Sequence, residues 1–407
     1  VTGDPSAVIP DRTALERDSF APAREEAARF RRELPMAEAA WHDGIAQGMF
    51  GLPRRWRGVQ ALDLDRIAQL IVNAEAGAMD GLLGTAVSDL PVPGVSPDLP
   101  ISPSGIATLL GCPHAFLLGQ ILGFKEPAVP PPQREIGQPM YGDLFHSAAA
   151  EFYATSGPFF CARERKLLEW IGIANVIVDR VFEEFVREYP LIGEAVRIQQ
   201  QERLRRDVQE LLEYDWKAPK VTRFVGVERK FGEPTPVELP AAGHSLHVRG
   251  RIDRIDVCGE TSLVRDLKTG QPHSRIGKEA DAHPLLDLQI AVYGFVAQLF
   301  AKEWQIPKRI AAAYSYFGRG AGTERSFRDD FHQALEPAAQ KWLDVASGLL
   351  AQRLFPRTPN AKDCAYCCFR PVCGDEVYER ASALLAAGDG VLVGFSTLKA
   401  GKPKEED

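Results

Sequence analysis

A chain of 407 residues, 45% apolar and 25% charged, has the make-up of an ordinary globular protein and the length for more than one domain. It has no run of about eighteen apolar residues, which argues against a membrane-spanning helix, and seven cysteines in so long a chain are not a disulfide scaffold. The net charge of −7 speaks against a uniformly basic nucleic-acid binder, but clustered site carboxylates and a local basic groove remain compatible with it.

The N-terminus, Val1-Thr-Gly-Asp-Pro5, is not a basic-then-apolar signal peptide and does not start with Met. The expectation is a non-standard start or the C-terminal piece of a longer polypeptide. Residues 1–100 are expected to form a helical leader, because Ala21–Arg32 and Leu64–Ala78 carry apolar residues at three- and four-residue spacing. Trp41, Phe50 and Trp56 read as core. The proline-rich stretch Leu90–Pro100 reads as a linker or a domain boundary. Ser102 is an N-cap and Pro103 suits a first helical position, so a helix opens there and carries Cys112 on the same element. A proline-rich loop, Pro127–Pro132, leads to a helix with Gly142 and His146. Two long helices are expected over roughly 165–190 and 195–215.

The β region follows. Phe224–Phe231, Ser245–Val257 and Ser262–Leu267 alternate or are β-branched, with turn signals between them. A helix is expected from Pro284 to Lys302, a strand over Arg309–Phe317 with Thr323–Phe327 as its partner, and a helix over Phe331–Gln352. Residues 381–407 are expected to be a partly disordered tail, charged from Lys399 onward. Candidate basic runs are Pro53–Arg57, Arg163–Lys166 and Arg203–Arg206.

The chemistry concentrates in two places. Asp266 and Lys268 are two apart on a strand and project from one face, and hairpin pairing can bring Asp253 beside them. Two carboxylates with a backbone carbonyl make a hard-oxygen site suited to Mg²⁺ or Mn²⁺. Such an ion stabilises charge at a phosphoryl group, and Lys268 positions or helps deprotonate water. Asp256 is an alternative to Asp253, but three residues apart they face opposite sides of a regular strand, so one alone can join Asp266. Glu228 reads equally well as a site acid or as an exposed strand charge. A lone His146 on an apolar helix is more often structural, and Gly142 allows close approach of its helix. Gln289 and Tyr293 share a helix face and either buttress Lys268 or pack.

The second place is the cysteine set. Cys364-x2-Cys367-x5-Cys373 needs a fourth ligand. Cys368 is adjacent to Cys367 and should diverge, Cys161 and Cys258 read as buried small hydrophobes, and Cys112 precedes shielding apolar residues. Four cysteines within ten residues point to metal binding in a reducing compartment, a bacterial cytoplasm. A [4Fe–4S] cluster tolerates distant ligands, whereas structural Zn²⁺ prefers two paired knuckles and fits less well.

In order, Cys112, His146, Gly250-x-x-Asp253, Asp266-x-Lys268, Gln289-x3-Tyr293 and Cys364-x2-Cys367-x5-Cys373 resemble the iron–sulfur branch of the RecB-type PD-(D/E)XK nucleases, which includes the AddB nuclease domain and CRISPR-associated adaptation nucleases. The resemblance spans about residues 101–380. It implies an α/β, restriction-endonuclease-like core, a small mixed sheet flanked by helices. It also implies Asp253 and Asp266 as metal ligands with the Leu267 carbonyl, Lys268 as the catalytic lysine, and His146 as a further ligand or phosphate contact. Gln289 and Tyr293 would support the site, Glu228 would match a frequent acid ahead of it, and Cys112, Cys364, Cys367 and Cys373 would hold the cluster. The expected activity is cleavage of single-stranded DNA or duplex ends, as an exonuclease more than an endonuclease, in recombination and double-strand-break repair beside a helicase subunit or region. No G-x4-G-K-[ST] occurs in the chain, so no complete motor is present. The rival readings are a CRISPR-associated adaptation nuclease and a non-catalytic DNA-end-binding subunit.

Overall fold

The computed structural model describes residues 77–87, 89–125, 134–217, 221, 223–270, 282–318, 322–365, 367–373, 377–388 and 390–400. The chain divides into two units, 1–82 and 83–407. The expected leader helices, Trp41, Phe50, Trp56 and the basic run at 53–57 lie outside the described residues, as does the loop at 127–132. In the first unit only 77–82 is described, a single 3-10 turn at Ala78–Asp80. The following account concerns the second unit.

The expected linker is irregular but pinned. Gly94 N–H donates to Leu99 O at 2.7 Å and Gly94 O accepts from His247 N at 3.0 Å. Ile101 beyond it is buried. Helix α1 (Pro103–Gly111) starts where the sequence places it, with the Ser102 hydroxyl accepting from Gly105 N at 3.0 Å. It does not continue through Cys112. That residue is extended, φ −154°, and ends α1 while preceding a short α2 (Pro113–Phe116). Pro113 lacks the N–H that would continue the ladder, so the helix breaks there.

Helices α3 (Gln138–Cys161), α4 (Leu167–Glu188) and α5 (Glu194–Lys217) follow. They pack around Phe145, Phe152, Phe182, Leu204 and Leu211, and that core runs onto the sheet at Leu267 and Phe317. Five strands form the main sheet: β1 (Arg223–Phe231), β4 (Gly250–Cys258), β5 (Thr261–Thr269), β6 (Arg309–Phe317) and β7 (Thr323–Phe327), side by side in that order. A separate hairpin pairs β2 (Val237–Leu239) with β3 (Leu246–Val248). The long strand expected over 245–257 is therefore split at Arg249.

Three sheet contacts are antiparallel and β5–β6 is parallel. A parallel neighbour needs a crossover, and α6 (Pro284–Leu299) lies in it. α6 packs on β5 and β6, and α1 and α7 (Glu336–Ala351) pack on α6. The sheet is thus covered on both faces, which explains the buried runs of β4, β5 and β6. Two short turns, α8 (Ala361–Cys364) and α9 (Arg370–Cys373), carry the cysteines. The segment expected to be a tail is helical up to Ala400, in α10 (Val377–Ala387) and α11 (Gly390–Ala400). Leu385 and Phe395 are buried, and Lys399 Nζ bonds Gly111 O at 2.8 Å. Residues 401–407 lie outside the described residues.

Candidate active site

The β4–β5 ladder ends at Arg254↔Arg265, one residue short of Asp253 and Asp266. Beyond it the strands are joined by a side chain: Asp253 Oδ2 accepts the Leu267 N–H at 2.8 Å. The site carboxylates therefore sit where the sheet opens. Asp266 is almost fully buried and Asp253 nearly so.

Lys268 follows Asp266 on the same face of β5. Its Nζ lies 2.6 Å from Asp266 Oδ2 and donates to Gln289 Oε1 at 3.2 Å. Gln289 Nε2 in turn donates to Tyr293 Oη at 2.9 Å. Both residues come from α6, four apart on one helix face. The Tyr314 ring, on β6 opposite Asp266, lies 5.6 Å from the same ammonium. Lys268 is thus contacted from three elements at once, β5, β6 and α6.

The other flank is built by α3 and β1. His146 Nδ1 lies 3.6 Å from Asp253 Oδ2 and 3.9 Å from Glu228 Oε1. Glu228 lies inside β1 rather than at its end, between the pairs Val227↔Arg254 and Arg229↔Ile252, and so opposite Asp253. Its φ of +52° is in the left-handed region, uncommon for a residue with a Cβ and frequent at functional sites. Arg251, two residues before Asp253, pairs with Glu228. Gly250 has a packing reason: a Cβ there would meet Phe231 Cζ at 2.8 Å and Pro103 Cδ at 3.1 Å. Gly142 has none of that kind, since a Cβ would meet only Thr269 Oγ1 at an ordinary 3.7 Å.

The electrostatics are those of a cation site. Burial pushes the Asp253 carboxyl up to about 7, with Glu228 adding repulsion against the Leu267 N–H bond. Burial, then the charge of Asp253, pushes Asp266 up to about 7. Burial also raises Glu228 and lowers His146, which favours a neutral imidazole with a free lone pair. His146, Glu228 and Asp253 each present a ligand atom within 4.8 Å of the others. Asp266 Oδ2 is buried without an aligned hydrogen bond, its contact with Lys268 being an ion contact only. A hard divalent ion fits this donor set, because oxygen and imidazole ligands of net negative charge lose their mutual repulsion on binding it.

The family comparison agrees with this geometry. The PD-(D/E)XK nuclease superfamily profile matches residues 100–374. The chain belongs to the PD-(D/E)XK nuclease superfamily. The superfamily implies a metal-dependent nuclease, and the five-stranded mixed sheet flanked by helices is the restriction-endonuclease-like fold. No curated protein matches. Among solved structures, a chain described as "Crystal structure of SSO0001" aligns at 16% identity over 66% of this chain and 95% of its own, with a TM-score of 0.24.

The nuclease carries a second assembly on the opposite face of the sheet. Asp256, the alternative to Asp253, points there and is fully buried. Arg254 Nε donates to its Oδ2 at 2.7 Å. Asp215 of α5 bridges Arg254 and Arg265, the latter at 2.7 Å, and accepts the Tyr153 hydroxyl at 2.5 Å. Burial opposes the Asp215 charge, but the two guanidinium groups outweigh it and hold the carboxyl below its usual range. The sequence reading missed this set. Asp215 sits in a helix crowded with charge, and nothing in its spacing singles it out.

The four cysteines expected as ligands converge. Cys112, Cys364, Cys367 and Cys373 line one open pocket, with Ala115, Phe369 and Val377 as apolar cover and Arg357 and Arg370 as cations. Cys368 is exposed and outside it. Burial raises the Cys112 thiol, and Cys373 and Cys367 raise it further. A thiolate set that repels itself fits a bound cationic centre. Two of the expected basic runs are engaged elsewhere: Arg163 bonds Trp216 O at 2.8 Å, Arg203 stacks on Tyr141 at 3.7 Å, and Arg205 pairs with Asp179 at 2.5 Å. Among the described residues, no helix is long and apolar enough to cross a membrane.

Proposed function

We propose that this protein is a Mg²⁺- or Mn²⁺-dependent deoxyribonuclease of the RecB-type iron–sulfur branch, similar to the AddB nuclease domain. It acts on single strands or duplex ends in recombination and double-strand-break repair, as an exonuclease beside a helicase partner. The observation that carries the reading is the convergence of Asp253, Asp266 and Lys268 at the open end of the β4–β5 ladder, with His146 and Glu228 closing the flank.

Asp253, Asp266, His146 and the Leu267 carbonyl would hold the ion, with Glu228 within reach. A bound divalent ion supplies Lewis-acid stabilisation of charge on the phosphoryl oxygens. Lys268 orients the attacking water and offsets charge developing in the in-line displacement. Gln289, anchored by Tyr293, keeps that ammonium directed at the site. The burial of Asp253 and Asp266 lowers the dielectric around them, which strengthens their interactions with a cation.

Cys112, Cys364, Cys367 and Cys373 would hold a [4Fe–4S] cluster, with structural Zn²⁺ as the rival occupant. The cluster would join residue 112 to residue 373 and brace the domain from outside its reacting centre.

The test is cleavage of end-labelled single- and double-stranded DNA with Mg²⁺ or Mn²⁺. Metal-dependent release of short products from one end supports the reading. Tight DNA binding with no turnover under any divalent ion overturns it in favour of an end-binding subunit.

A further inference from the structure

Three adjacent strands repeat one pattern. On β1 Glu228 is followed two residues on by Lys230, on β5 Asp266 is followed by Lys268, and on the antiparallel β4 Arg251 precedes Asp253 by two. Residues two apart on a regular strand share a face, and at Glu228, whose backbone is left-handed, the ion pair with Arg251 sets the side. Because β4 runs against its neighbours, the three cations fall on the same side of the three carboxylates. Lys230 and Arg251 are direct cross-strand partners, so they stand side by side on the face that carries Glu228 and Asp253.

We propose that Lys230 and Arg251 form a phosphate subsite beside the metal centre, which takes the backbone phosphate next to the scissile one in a polynucleotide. The inference rests on the nuclease reading above. Both side chains are more than half exposed, 66% for Lys230 and 57% for Arg251, and reach a ligand without rearranging the core. Their present partners are carboxylates, Glu233 at 3.3 Å from Lys230 and Glu228 beside Arg251. An exposed pair such as Lys230–Glu233 is weak and yields readily to a phosphate. The planar guanidinium of Arg251 can hold two phosphate oxygens at once, and Lys230 adds a point charge. Two residues of strand separate the basic row from the acidic row, about 6.6 Å. That is a separation one polynucleotide strand bridges with neighbouring phosphates. The Arg163 and Arg203 runs, by contrast, are occupied within the fold.

The test uses the full chain, with Lys230→Gln, Arg251→Gln and the double variant. Equilibrium binding of a fluorescein-labelled single-stranded oligonucleotide is measured in the cleavage-dead Asp266→Asn background across a salt series. Cleavage kinetics and Mn²⁺ binding are measured in the otherwise native protein. We expect the double variant to reduce the slope of log affinity against log salt by about 0.7, the share of the one phosphate that the pair would neutralise. KM should rise about tenfold, by more than any change in kcat. Lys230→Gln, which does not touch Glu228, should raise KM without altering Mn²⁺ affinity. An unchanged slope and KM in the double variant overturn the subsite. So does a fall in kcat alone, which would make Arg251 part of the metal centre. Native protein that binds the oligonucleotide but never cleaves it refutes the nuclease reading and leaves the subsite to be judged by the salt slope. Failure to bind any polynucleotide refutes both.

Discussion

Asp253 Oδ2 accepts the Leu267 N–H at 2.8 Å, one residue beyond the last rung of the β4–β5 ladder. One carboxylate thereby has two tasks. It replaces a missing backbone bond between strands, and the same oxygen faces His146 in the site, at 3.6 Å. Asp253→Asn keeps an acceptor for Leu267 but removes the negative charge. We expect stability to change by no more than about 1 kcal/mol while cleavage falls at least about 10²–10³-fold. Thermal melting beside a cleavage time course checks both. Cleavage at the native rate would remove Asp253 from the metal site.

The same burial sets a pH dependence. Asp253 and Asp266 are each pushed up to about 7 from a usual 3.8. Between these values the folded, metal-free protein holds protons that the unfolded chain has released. Stability contributed by these groups is therefore greatest below pH 4 and lost as pH rises to 7. Divalent metal reverses this, because it binds the deprotonated pair and releases the protons. Mn²⁺ affinity should rise by up to about tenfold per pH unit for each proton released as pH climbs towards about 7, then level off. Calorimetric titration in two buffers of different ionisation heat measures the proton release. A pH-independent affinity with no proton release would show that the carboxylates are already ionised.

Much of this was legible in the sequence, for physical reasons. Arg309–Phe317 and Thr323–Phe327 are uninterrupted by Gly or Pro, and the strands match the expected bounds. The rule that residues three apart on a strand face opposite sides separated Asp253 from Asp256, and Asp256 does lie on the other face with Arg254. What stayed hidden depends on partners distant in the chain. Arg254 and Arg265 look like solvated strand charges until Asp215 of α5 comes between them. Cys112 looked like a continuation of α1 because its turn-breaking neighbour, Pro113, is also a good first residue for the next helix. The helices beyond residue 381 were missed because their apolar faces are short, and their order comes from packing of α11 on α7 and of α10 on α11.

Gln289 depends on how α6 begins. Asp287, two residues before it, is fully buried and accepts from Arg325 Nε at 2.6 Å and Nη2 at 2.5 Å across to β7. It also accepts His283 N at 2.7 Å. Asp287→Ala removes the carboxylate that two nitrogens of the buried Arg325 guanidinium bond and should cost about 3–5 kcal/mol. Activity at a temperature where the variant is still folded should drop as well, because the Gln289–Lys268 contact loosens. Replacing Arg325 with Leu in the same chain should recover a large part of the stability, since the buried charge that Asp287 balanced goes with it. If the double variant is no more stable than the single one, the pair contributes through something other than charge burial.

Gln289→Ala tests the link itself. It removes the acceptor 3.2 Å from Lys268 Nζ but leaves the carboxylates in place. Cleavage should slow about tenfold, less than the loss on Lys268→Ala, which removes a charged group worth about 10²–10³. Mn²⁺ affinity should hold in both. Tyr293→Phe, which takes away only the anchor of Gln289, should fall between the native protein and Gln289→Ala. An equal loss in all three variants would mean that the chain from Tyr293 to Lys268 acts as one unit.

The cysteine cavity makes the sharpest contrast, because Cys367 and Cys368 are neighbours in sequence and differ in placement. Cys367 lines the cavity with Cys112, Cys364 and Cys373, and Cys368 is exposed outside it. Cys368→Ala should leave iron content, absorbance and melting temperature as they are. Cys112→Ala should abolish bound iron and acid-labile sulfide and lower stability by on the order of 2–4 kcal/mol, the scale of a long cross-link. Cys112 is the decisive position because it would be the single ligand from the N-terminal side: without it, a cluster on the Cys364–Cys373 loop would have no bond to the junction of α1 and α2. Anaerobic purification followed by iron and sulfide assay checks the occupant. One zinc per chain with no iron would replace the cluster by a structural zinc site and leave the contrast between Cys112 and Cys368 intact.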